Sequence, residues 1–137
     1  MNIFLELKKL NLPSGQYIVV GSGVMSAKGI RPTSDLDIVT TPKIFEQYKK
    51  MVGWKLLEWT KPDIRGKEWL RNGAVELYQQ FSLKSGSLSV VDLLEDSEVI
   101  NGVAFMSLEQ LIKYKKEYGR PKDFEDIRLI QDYIAGK

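Results

Sequence analysis

The 137-residue chain carries 20 Lys and Arg against 18 Asp and Glu, a formal charge of +2, and 43% hydrophobic residues. This is the balance of a soluble globular domain; it implies no general attraction to nucleic acid, and no apolar run approaches a membrane span. Cysteine and histidine are both absent, which excludes disulfides, zinc-finger sites, a cysteine nucleophile, a Ser-His-Asp triad and a histidine base.

Whatever catalysis occurs must therefore use carboxylates, Lys, Arg, Tyr, Ser or Thr. A protein-bound metal must accept oxygen ligands, which favours Mg²⁺, Mn²⁺ or Ca²⁺. The length suits one domain over residues 1–137, expected to be cytoplasmic, with no targeting segment and no contact with a membrane.

Taken in order, Ile3, Phe4, Leu7 and Leu10 share one helical face, so the first ten residues predict a helix. Leu12 to Gly15 is turn chemistry, and Tyr17 to Val20 is a short apolar run suited to a buried strand. Gly21-Ser22-Gly23 ends it, and Val24 to Lys28 predicts a short helix closed by Gly29. A second strand is expected over Asp35 to Thr40. Thr41-Pro42 opens a helix through Ile44, Phe45, Tyr48 and Met51 that stops at Gly53.

The middle is β-like: Trp54 to Trp59, Lys67 to Arg71, and Ala74 to Leu83 as the longest strand, with turns at Pro62-Asp63 and Asn72-Gly73. Ser89 to Ile100 fits helix or strand, with a short helix favoured. Gly102 to Met106 predicts a strand, and Ser107-Leu108-Glu109-Gln110 is a capping box opening a helix to Tyr118. Pro121 starts a last helix whose Phe124, Ile127, Ile130 and Ile134 recur on one face. The pattern as a whole predicts an α/β (α+β) domain with a mixed sheet of about five strands and helices packed against it.

Strands tolerate Asp poorly, so Asp35 and Asp37 in the run Asp35-Leu36-Asp37-Ile38 ask for an explanation beyond folding. Alternate strand residues share a face, about 7 Å apart along the chain, so the two carboxylates point together while Leu36 and Ile38 face the core. Such a pair can share divalent cations. The plainer alternative makes Ser34-Asp35 a turn and Asp37 an exposed strand residue. The Gly21-Ser22 turn offers backbone N–H groups and a hydroxyl to phosphate oxygens. A P-loop is excluded, because no Lys precedes a Ser or Thr at the required place. A dinucleotide fingerprint over Gly21-x-Gly23 fits poorly, since the acids come early and as a pair.

The order strand, Gly21-Ser22, twelve residues, Asp35-Leu36-Asp37-Ile38 resembles the signature of the nucleotidyltransferase superfamily with the DNA polymerase β-like fold. The tail, with Lys115 ahead of Gly119-Arg120-Pro121-Lys122-Asp123 and Asp126, is similar to small bacterial members, including those of the type IV toxin-antitoxin group. The resemblance implies that Gly21 and Ser22 hold the phosphates of an NTP, that Asp35 and Asp37 bind Mg²⁺ or Mn²⁺, and that a third acid completes the site. Glu76, alone among apolar neighbours in Val75-Glu76-Leu77-Tyr78, sits where the resemblance places that acid; Asp92 is the alternative if its segment is a strand. Lys115 and Arg120 are the candidates to neutralise phosphate, ahead of Lys122 and Lys28. Asp123 and Asp126 suit the start of a helix, where acids favour the dipole.

Trp54, Trp59, Trp69, Tyr78 and Phe81 could stack a base, although core packing is the commoner fate of such residues. The activity implied is transfer of an NMP to an acceptor hydroxyl or phosphate, on RNA or a small molecule, by a two-metal mechanism. A catalytically silent nucleotide-binding module fits the same residues, as does a toxin-antitoxin interaction protein acting through a homodimer or a protein partner.

Overall fold

The computed structural model describes residues 1–63 and 65–136, with side chains outside 59–63, so the side chain of Trp59 lies outside the described residues. A first helix, α1 (Ile3–Leu10), is capped by the Asn2 side chain and turned off by Asn11 in the left-handed region. Strand β1 (Tyr17–Val20) follows, then α2 (Ser22–Ala27), β2 (Leu36–Thr40) and α3 (Pro42–Lys49). The edge of the sheet is built by β3 (Lys55–Asp63), β4 (Gly66–Asn72) and β5 (Val75–Tyr78). A small hairpin, β6 (Phe81–Leu83) and β7 (Gly86–Leu88), leads to α4 (Val90–Glu95), β8 (Ser97–Ile100) and β9 (Val103–Met106). Two helices, α5 (Leu108–Tyr118) and α6 (Pro121–Ala135), complete the chain.

The main sheet has seven strands in the order β3-β4-β5-β2-β1-β9-β8, which extends the expected five. It is mixed: β2 runs parallel to β5 and β1 parallel to β9, while the remaining neighbours are antiparallel. All four residues of β1 are buried, as the unbroken apolar run Tyr-Ile-Val-Val requires of a strand covered on both faces. Helix α2 packs on β1 and β2, α3 on β2 and β4, and α4 on β1 and β9. The core these layers enclose includes Ile18, Leu36, Ile38, Leu70, Leu77 and Phe105, each with no exposed surface.

Four sequence expectations are corrected. The strand expected over Ala74 to Leu83 divides, β5 staying in the main sheet and β6 leaving it for the hairpin. The expected turn at Pro62-Asp63 falls later, since β3 continues to Asp63; as an edge strand it tolerates a residue without an N–H, and its pairing with β4 is irregular between Glu58 and Asp63. Ser89 to Ile100 holds both alternatives in succession, α4 and then β8.

The fourth correction concerns α6. Phe124 is 55% and Ile134 49% exposed; Ile127 and Ile130 are buried as expected, and Asp123 and Asp126 complete the inward stripe in place of the other two. Two buried carboxylates at the start of that stripe need partners, and the partners define one wall of the site.

Candidate active site

Across the middle of the sheet the strand register sets three side chains in a row: Asp37 of β2 lies beside Glu76 of β5, and Glu76 beside Arg71 of β4. Alternation along β2 sends Leu36 and Ile38 into the core and leaves Asp35 and Asp37 on the opposite face, as their spacing predicts. Asp35 is exposed and Asp37 half-buried. Burial, followed by the negative charge of Glu76, pushes the Asp37 carboxyl up to about 6; Asp35 adds to the rise, and a hydrogen bond with Tyr78 partly offsets it.

Glu76 is tightly held. Arg71 donates to Oε2 from Nη2 at 2.8 Å and from Nε at 3.1 Å, while the Tyr78 hydroxyl donates to Oε1 at 3.0 Å. The Arg65 guanidinium stands 3.5 Å from Oε1 and 4.1 Å over the Trp69 ring. Burial and the adjacent Asp37 and Glu76 keep the Tyr78 hydroxyl protonated well beyond its ordinary range.

On the other side of β2, β1 ends at Gly21, whose φ of 69° and ψ of −146° lie in a region that only glycine enters readily. A Cβ there would come within 3.3 Å of Asp37 Oδ2. The turn can therefore lie directly against the carboxylate only because the position is Gly. Ser22, the next residue, accepts a hydrogen bond on its Oγ from Arg31 Nη2 at 3.0 Å.

Arg31 forks onto Asp126 of α6, Nε to Oδ1 at 2.7 Å and Nη2 to Oδ2 at 2.9 Å. Lys115 of α5, only 3% exposed, donates to the same Oδ2 at 2.8 Å and lies 3.9 Å from Asp123. Burial would raise the Asp126 carboxyl, but the hydrogen bonds from Arg31 and Lys115 outweigh it and hold it below the usual range. Arg120, the residue before α6, donates to Asp123 from Nε at 2.6 Å and from its backbone N–H at 3.1 Å. A continuous polar network thus joins the Gly-Ser turn to the last two helices.

One cavity of about 370 Å³ is lined by Gly21, Ser22, Asp35, Asp37, Glu76, Lys115 and Arg120, so the residues picked out from the sequence converge. Asp92 does not join them: its carboxylate accepts from the Ser89 N–H at 3.0 Å at the start of α4, and it lines a different cavity with Thr41 and Pro42. Lys28 is ion-paired with Glu98, whereas Lys122 lines the site. Trp69 and Phe81 are buried and Trp54 stacks edge-on against Tyr48, which leaves Tyr78 as the one described member of the aromatic set on the cavity wall.

Residues that sequence reasoning passed over complete the lining: Arg31, Arg65, Arg71, Tyr114 and Tyr118, with Asp123 and Asp126 promoted from helix-start acids. Burial raises the Tyr114 hydroxyl to about 12.

The donor set fits a hard divalent cation in part. Asp35 and Asp37 give two oxygen donors on one face, and a cation between them would offset the burial and the neighbouring negative charge that lift Asp37. Glu76 is committed to Arg71 and Tyr78, and among the described residues no three carboxylates are already gathered as a metal cluster.

The fold of the chain is that of nucleotidyltransferases of the polymerase β-like type. Two solved structures share it over nearly the whole chain. ANT(2″)-Ia in complex with adenylyl-2″-tobramycin superposes with a TM-score of 0.55 at 17% identity, covering 96% of this chain and 85% of its own. TM1012 of Thermotoga maritima, assigned as a nucleotidyltransferase, gives 0.55 at 18% identity and covers 98% and 92%. No protein-family model and no curated protein matches the sequence. Among the described residues, no helix is long and apolar enough to cross a membrane.

Proposed function

We propose that the chain is a nucleotidyltransferase that moves an NMP from an NTP to an acceptor hydroxyl. The observation that carries this is the meeting of Asp35 and Asp37 with the Gly21-Ser22 turn and the Lys115 and Arg120 cations around one cavity. The shared fold supports it, and the adenylylated tobramycin bound to ANT(2″)-Ia suggests a small hydroxyl compound as one class of acceptor.

The acceptor oxygen bonds to the α-phosphorus, the bond from that phosphorus to the bridging oxygen breaks, and pyrophosphate leaves with the electron pair. Glu76, on the far side of Asp37 from the turn, orients the acceptor and takes the hydroxyl proton. Ser22 and the Gly21 backbone bind the β- and γ-phosphates, and Lys115 and Arg120 neutralise them. Asp35 and Asp37 would hold Mg²⁺ or Mn²⁺, which neutralises charge on the entering and leaving oxygens when bound. Positioning and electrostatics supply most of the catalysis in phosphoryl transfer, so a chain without histidine is equipped for it.

Incubating the protein with Mg²⁺, each labelled NTP and a panel of RNA and small hydroxyl acceptors tests the reading. Asp35→Asn or Asp37→Asn is expected to lower NMP transfer by about a hundredfold or more while the circular dichroism spectrum is kept. Transfer that survives both changes removes the assignment.

A further inference from the structure

The side of the site across from the phosphate turn points to the chemistry of the acceptor, an inference that rests on the transferase reading above. In an in-line displacement the entering oxygen approaches opposite the leaving one. Gly21 and Ser22 close the end of β1, on one side of β2, so the acceptor comes from the other side, over β5 and β4. That side is cationic. Arg71 is directly across from Glu76 in the strand register, its side chain 49% exposed, and Arg65 lines the same cavity. Exposed Lys67 lies four residues before Arg71, on the same face of β4.

Neighbouring strands are about 4.8 Å apart, so Arg71 is rooted about 10 Å from Asp37, two strands across. A sugar hydroxyl beside Glu76 would therefore carry its own substituents toward Arg71. Glu76 holds the Arg71 guanidinium through Nε and Nη2, which orients it and leaves Nη1 for hydrogen bonds with phosphate oxygens. A neutral sugar makes no ion pair with it, and an amine-rich one such as tobramycin offers it no anion.

The geometry points to an acceptor that bears a phosphate group near its reactive hydroxyl, with Arg71 as the residue that selects it. The hydroxyl oxygen joins the α-phosphorus, its proton passes to Glu76 and pyrophosphate leaves; the acceptor's phosphate keeps all its bonds.

The test titrates the full chain with ribose and with ribose 5-phosphate, read by calorimetry. It then offers both compounds, a short RNA with a free 3′ hydroxyl, and tobramycin as acceptors for labelled NMP. Ribose 5-phosphate is expected to bind at least tenfold more tightly than ribose. Arg71→Gln removes that margin and Arg71→Lys keeps part of it. Transfer that favours ribose 5-phosphate or the RNA upholds the proposal, and the better of the two identifies the source of the phosphate. Binding that depends on Arg71 without any transfer upholds the phosphate subsite and overturns the transferase reading. Equal transfer to ribose and ribose 5-phosphate, a preference that survives Arg71→Gln, or tobramycin as the best acceptor overturns the subsite and leaves the transferase standing. Absence of both binding and transfer overturns the subsite as well.

Discussion

Asp37 sits where folding and chemistry want different things. Its carboxyl titrates near 6, above the ordinary value of 3.8, because it is buried beside Glu76 and Asp35. A carboxyl raised in the folded state binds its proton more tightly there than in the unfolded chain, so stability falls as pH climbs from about 4 through 6. In EDTA at neutral pH, Asp37→Asn is therefore expected to be more stable than the unaltered protein by about 1–3 kcal/mol. Urea unfolding measures this. The gap should close below pH 4, where both proteins carry a neutral side chain at this position. A variant that is stabilised and inactive would identify a residue kept for chemistry.

The same residue marks how far sequence took the site. Asp35, Asp37, Gly21 and Ser22 were legible because each breaks a local rule: acids in a strand, and a Gly-Ser pair where an apolar run stops. Arg71 was not, for a reason of register. A two-residue loop at Asn72-Gly73 would set Trp69 opposite Glu76. The loop is Gly73-Ala74, one residue later, which brings Arg71 there instead. An opposite-charge pair across a hairpin was the available signal.

At the level of elements, the final helix pair is held to the sheet by charge as well as by apolar packing. Lys115, Asp126 and Arg31 come from α5, α6 and the segment before β2, and Lys115 is almost wholly buried. Periodicity placed α5 and α6 correctly and found Ile127 and Ile130 on the inward face, but put Phe124 and Ile134 there in place of Asp123 and Asp126, because charged residues are expected outward unless paired. The partner of Asp126 lies in a segment that carries no pattern of its own, so no local rule would have found it.

Removing one member strands the others. Asp126→Ala is expected to cost about 3–5 kcal/mol, and the joint change Lys115→Met with Asp126→Leu to recover part of it, Arg31 being left without its carboxylate. Because the Asp126 carboxyl is held below its ordinary range, its contribution is present at neutral pH and lost as pH falls through and below 4. Near-ultraviolet circular dichroism of Tyr114 and Tyr118, which stack at 5.1 Å, follows that loss.

For the molecule as a whole, the order of strands predicts an order of opening. Strands β2 and β1 are interior to the seven-stranded sheet and covered by helices, while β3 and β8 are its edges. Native-state hydrogen exchange should find the slowest amides at Val19, Ile38 and Leu77 and the fastest sheet amides in β3 and β8. Slow exchange at β8 equal to that of β2 would contradict this. The carboxylates are thus mounted on interior strands, Asp37 on β2 and Glu76 on β5, and the cations on elements outside them, Arg71 on β4 and Lys115 on α5. The fold class was readable from the sequence because turns and periodicity punctuate it clearly. The sheet was wider than expected because β8 carries a weak apolar pattern and followed a segment read as a short helix.

The bond between Arg31 and Asp126 joins residues 95 positions apart. A growing chain emerges from the ribosome in sequence order, and the acid pair and the Gly-Ser turn can take shape long before the helix that carries Asp126 has been made. Until then Arg31 has no carboxylate to seize, Lys115 has no reason to turn inward, and the phosphate wall is missing. The polar wall that joins the Gly-Ser turn to α5 and α6 is consequently the last part of the candidate site to form.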